Sequence, residues 1–150
     1  MSTDSEHAVH VLNSLIETTL DSAKGYKEAA ENSKDSALKT LFSERSLQRM
    51  KLTGELQQEV RTFGGDPEQH RSAMGKVHNS FVDLKAAVLG HDQKAIINEV
   101  DRGEDFLRGK YEHAVKDDRL PAPVLALVRT GLDAINADHV AISALKKAAN

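Results

Sequence analysis

The chain has 150 residues, enough for one domain with one substantial hydrophobic core. Its 39% apolar and 29% charged residues belong to a globular protein and not to a disordered tail, and the absence of Cys excludes disulfides, thiolate metal sites and a thiol nucleophile. The 20 basic and 23 acidic residues are mixed along the chain, net charge −3, with only 4% aromatics, which argues against a nucleic-acid partner.

The opening MSTDSEHAVH is polar and acidic, without the basic and apolar regions of a secretory leader. No apolar run approaches the roughly 18 residues of a membrane span. The expectation is a cytoplasmic protein without a membrane partner. Residues 1–5 are expected to be a disordered N-terminus and residues 6–148 a single domain.

Helical spacing then dominates. A first helix is expected over residues 5–32, with Leu12, Ile16, Thr19, Ala23, Tyr26 and Ala30 on one face and Glu17, Asp21 and Glu28 turned to solvent. NSKD (32–35) breaks it, with Ser33 or Asp35 placed to cap the next helix. That second helix covers residues 35–63, with a stripe of Leu38, Leu41, Leu52, Leu56 and Phe63. FGGDPEQ (63–69) ends it: the glycines permit a C-terminal cap, and Asp66-Pro67-Glu68 starts a fresh helix. A shorter amphipathic stretch, residues 71–89, aligns Ala73, Val77, Phe81, Leu84 and Val88. LGHD (89–92) breaks it, Asp92 caps a helix running to about residue 117, and DDRLPAP (117–123) leads into a last helix ending near residue 147.

Two pairs of long helices, each joined by a tight turn, should form two antiparallel hairpins. The intervening amphipathic stretch is long enough to carry the chain back along the bundle. The expected fold is therefore all-α, a ferritin-like four-helix bundle with a short extra helix in one long crossover.

A helical wheel at roughly 100° per residue leaves a few polar residues on the inward faces. These are Arg45 and Gln48 on the second helix, Glu104 in VDRGEDFLRGKY (100–111), and His139 between Ile135 and Ile142. Counting levels at about 1.5 Å per residue brings them within about one and a half turns of Tyr26. A buried carboxylate needs a partner. Glu104 could pair with Arg45, accept from Tyr26 or Gln48, or join His139 as a metal ligand. Three readings follow: a buried polar layer that sets bundle register, a metal site, or an acid/base centre. The other histidines lie on flanks or in breaks, and HExxH, Walker A and dinucleotide-binding patterns are absent.

LNSLIETTLDSAKGYKEAAE (12–31), LQQEVRTFGGDPE (56–68) and NEVDRGEDFLRGKYEHAV (98–115) together resemble a bacterial family of uncharacterised ferritin-like four-helix-bundle proteins, a domain of unknown function. The resemblance runs from about residue 8 to residue 147. It implies a ferritin-like fold, a bacterial cytosolic setting and a stress-associated role, but no reaction. Ferritin-like di-iron proteins carry a Glu on each of two helices and Glu-x-x-His on the other two. Glu104 matches a lone inward Glu and His139 the His of the last helix. Asn136 stands where His139 would want a Glu, Glu44 is followed by Leu47 instead of His, and Ala23 and Tyr26 occupy the inward positions of the first helix.

The expected role is thus a structural, interaction or stress-associated protein with an incomplete di-iron motif and no assigned cofactor, and the sequence leaves open whether it is an enzyme. It is expected to form a homo-oligomer, a dimer first of all, through residues 71–89 or an over-wide apolar stripe. The alternative is an iron- or other divalent-metal-binding protein or oxidoreductase built on Glu104, His139 and Glu44. A third option is a small-ligand pocket where Ala23, Ala30 and Gly103 leave room near the axis.

Overall fold

A computed structural model describes residues 3–68 and 92–149. The described residues form four helices: α1 (Thr3–Asn32), α2 (Ser36–Thr62), α3 (Gln93–Val115) and α4 (Ala122–Ala149). No strand occurs among them, and the arrangement is consistent with a four-helix bundle. The helix expected over residues 71–89 lies outside the described residues.

Local chemistry sets the ends. Asp35 and Asp92 are N-caps, each accepting from two backbone N–H groups of the following turn. At the end of α2, Gly64 takes φ 79°, and the N–H groups of Gly64 and Gly65 donate to the Arg61 and Val60 carbonyls. That is the double hydrogen bond of a Schellman cap, which needs a left-handed residue where Gly64 stands. A side-chain Cβ at Gly65 would meet Val9 Cγ1 at 2.7 Å, so this turn also needs glycine to lie against α1.

The N-terminus differs from expectation. α1 begins at Thr3, within the stretch expected to be disordered, because Asp4 and Glu6 favour a helix start and His7 Nε2 lies 2.6 Å from Asp117 Oδ2. Asp21 is a second correction: it is buried instead of solvent-facing, while Glu17 and Glu28 are half-buried. α1 packs against both α2 and α3, so its buried arc is wider than a single stripe.

Cross-helix hydrogen bonds give the directions. Ser46 Oγ donates to the Ala23 carbonyl and Lys39 Nζ to that of Ala30, so α1 and α2 run antiparallel. Gln93 at the start of α3 bonds Ser33 at the end of α1, whereas Asp117 just past α3 meets His7 at α1's beginning. α3 is therefore antiparallel to α1 and parallel to α2. The chain between Thr62 and Gln93 must join opposite ends, about 40 Å apart for a helix of 27 residues.

The buried apolar residues fall into two clusters. One gathers Leu12, Ile16, Leu56, Tyr111, Val128 and their neighbours; the other gathers Tyr26, Ala30, Phe42, Ile96, Val100 and Ile142. Between them, where α2 would otherwise bring apolar residues inward, stand Arg45 and Arg49.

Candidate functional site: a buried charge cluster

The inward positions of α2 are Leu38, Phe42, Arg45, Arg49, Leu52, Leu56 and Val60, spaced by three or four residues. Two consecutive ones are arginines, which no helix would bury alone. Their counter-charges come from the other hairpin. Arg49, with no exposed side-chain surface, donates from Nη2 to both oxygens of the equally buried Glu104 at 2.7 and 2.8 Å. Its Nη1 donates to Asp138 Oδ2 at 2.9 Å and to Gln48 Oε1 at 2.8 Å, and its Nε to Ser22 Oγ at 3.2 Å. Arg45 Nε lies 2.9 Å from Asp138 Oδ1.

One guanidinium thus ties together all four helices: α1 through Ser22, α2 by its own backbone, α3 through Glu104 and α4 through Asp138. Two cations face two anions, and the cluster is neutral as a set.

Tyr26 closes the cluster on the α1 side, its ring centroid 5.6 Å from the Arg49 guanidinium carbon. This is within cation–π range and, in a desolvated site, worth up to about 2 kcal/mol. Burial and the neighbouring Glu104 carboxylate push the Tyr26 phenol well above its ordinary value. For Arg49, burial works against the charge, but Glu104 and then Tyr26 and Asp138 outweigh it, holding the guanidinium protonated more firmly than in water. Further down the axis, Thr19 Oγ1 donates to the Leu15 carbonyl at 2.6 Å, which leaves its lone pairs to accept from the Tyr111 hydroxyl at 2.8 Å.

The residues singled out from sequence separate here. Tyr26, Arg45 and Glu104 are buried at this level. Gln48 is exposed, touching the cluster only through its Oε1 on Arg49, because the inward face of α2 passes through Phe42 and Arg49 and not through Leu41 and Gln48. His139 is half-buried on the flank, its Nδ1 3.7 Å from Asp101 Oδ1, and Asp101 also takes Lys146 at 3.2 Å. Asp138, not His139, fills the inward position between Ile135 and Ile142. Glu44 is exposed.

Arg49 and Asp138 were missed. A signal for them existed: Phe42-Arg45-Arg49-Leu52 and Ile135-Asp138-Ile142 keep the three-and-four spacing of a buried stripe, with a charge inside it. Reading the stripe from apolar residues alone rotated α2 and α4 by one position.

The donor set does not fit a carboxylate-histidine metal centre. Such a site needs several lone pairs converging on one point. Glu104 and Asp138 instead point theirs at guanidiniums, and Glu44 and His139 lie away from that point. Among the described residues, no three of His, Asp and Glu are grouped to hold a metal ion.

No helix among the described residues is long and apolar enough to cross a membrane. No curated protein matches the chain. A family model does, over residues 7–117, and by that match the chain belongs to the family described as Domain of unknown function (DUF2383).

Proposed function

We propose that this DUF2383 chain is a ferritin-like bundle in which an arginine–carboxylate network occupies the place where relatives of that architecture hold metal, and that it acts as a structural or interaction protein. The observation that carries this reading is the double hydrogen bond from Arg49 Nη2 to Glu104, at 2.7 and 2.8 Å. A guanidinium there neutralises the carboxylate that a metal would need, and a divalent cation beside Arg45 and Arg49 would meet two positive charges.

Two further features support it. α3 runs parallel to α2, so the end of α2 and the start of α3 lie at opposite ends of the helices, which is the relation that the long crossover of ferritin-like folds spans. The cluster also cross-links all four helices, which suits a scaffold that must hold one register. A stress-associated setting and a bacterial cytosolic location belong to the same proposal.

The test is elemental analysis of protein purified without a metal-affinity tag, followed by anaerobic Fe(II) titration. Less than a tenth of an equivalent of iron, zinc or manganese per chain, with no saturable uptake, is expected. One or two irons per chain, lost when Glu104 is replaced by Gln, would overturn the proposal in favour of a metal-binding or oxidoreductase role.

A further inference from the structure

The outer face of the α1–α2 hairpin carries a groove with a volume of about 1030 Å³. Leu20, Leu47 and Met50 line it, together with four charges of α1: Lys24, Lys27, Glu28 and Glu31. Leu47 is 71% and Met50 49% exposed, one turn apart on α2, a position where an isolated bundle gains nothing from large apolar side chains.

The charges are ordered in a particular way. In KGYKEAAE (24–31), Lys24, Lys27, Glu28 and Glu31 share one helix face. Reversing the segment about the midpoint between Lys27 and Glu28 places Lys24 on Glu31 and Lys27 on Glu28. Two copies of α1 laid antiparallel across a two-fold axis at that level would thus match four opposite charges, whereas a parallel pairing would set like on like. Nor are these charges spent within the helix: among the described residues, no ion pair joins any of the four. Lys preceding Glu by four residues is also the weaker order for an intrahelical pair.

We propose that this face is a self-complementary interface through which two copies of the chain associate isologously, antiparallel at α1, with Leu47 and Met50 supplying apolar contact beside the charged pairs. This deepens the interaction role proposed above and rests on it. Metal content measured on the same samples reads that role's other half independently.

The experiment is sedimentation equilibrium of the full chain over a wide concentration range. A reversible rise from the 16.4 kDa chain mass to twice that value is expected, weakening as salt is added. Lys24→Glu/Lys27→Glu makes the α1 charges of this face all acidic, with Lys39 of α2 the remaining cation of the groove, and Glu28→Lys/Glu31→Lys makes them all basic. Each variant should weaken self-association by more than about tenfold. An equimolar mixture of the two should restore a species of twice the chain mass. Leu47→Asp should also dissociate the dimer, with an unchanged helical circular dichroism spectrum. A wild-type chain that stays monomeric throughout, a dimer indifferent to both charge swaps, or a mixture that does not reassociate would each overturn the proposal.

Discussion

Arg49 and Glu104 are the residues whose placement costs most and whose pairing offsets that cost. A charge removed from water loses several kcal/mol of solvation, which is recovered only where partners and geometry are good. Here Arg49 has hydrogen bonds from Nε, Nη1 and Nη2, and Glu104 uses both carboxylate oxygens. Breaking the pair from one side should therefore hurt more than removing it whole. Glu104→Leu and Arg49→Met are each expected to destabilise the fold by about 3–5 kcal/mol. Glu104→Leu/Arg49→Met should recover a large part of that loss, although Asp138 then keeps only Arg45. Urea denaturation of the three variants gives the coupling, and strictly additive losses would refute the pairing as the source of the cost. At this scale Glu104 was legible from sequence, as a carboxylate in the apolar stripe of Val100, Leu107 and Tyr111. Its partner was not: choosing between Arg45 and Arg49, one turn apart, requires knowing the relative height of two helices that the chain joins only through a long connection.

Among the elements, α4 shows why local preference does not decide packing. Gly131 sits mid-helix, where alanine would ordinarily be favoured by about 0.5–1 kcal/mol. A Cβ there would lie 2.9 Å from Tyr111 Cε2 and 3.3 Å from Leu52 Cδ1. The Tyr111 ring is fully buried and its hydroxyl held by Thr19, so it has little freedom to retreat. Gly131→Ala is accordingly expected to destabilise by about 1–3 kcal/mol despite better helix propensity, whereas Gly54→Ala, with nothing within 4 Å of the added carbon, should stabilise α2. Thermal denaturation of the pair distinguishes the effects, and a stabilised Gly131→Ala would mean that α3 and α4 separate easily. The helix starts at Asp35 and Asp92 and the glycine stop after Thr62 were all readable, since caps use residues within one turn. The close approach of α4 to Tyr111 was not, because it joins positions on different helices.

At the scale of the molecule, two apolar clusters are held in register by the charged layer between them, and the two tyrosines of the chain report on both. Burial, joined at Tyr26 by Glu104, raises both phenols above their ordinary value. The unfolded chain loses these protons near pH 10 while the folded chain keeps them. Stability is therefore unaffected by these groups below about pH 10 and falls above it, by up to about 1.4 kcal/mol per pH unit for each tyrosine. Tyrosinate absorbance should then rise only together with loss of helical circular dichroism. A full tyrosinate signal near pH 10 from a still-helical protein would contradict the buried placement.

From the sequence alone, the four described helices, the caps at Asp35 and Asp92, the inward face of α1 and the anomaly of Glu104 were already determined, because each depends on residues within a few positions of one another. The rotation of α2 and α4, the burial of Arg49 and Asp138 and the wide buried arc of α1 were decided only in the tertiary structure. A charge can face inward only where opposite charges from other helices meet it, and that condition is satisfied by the assembled fold, never by one helix.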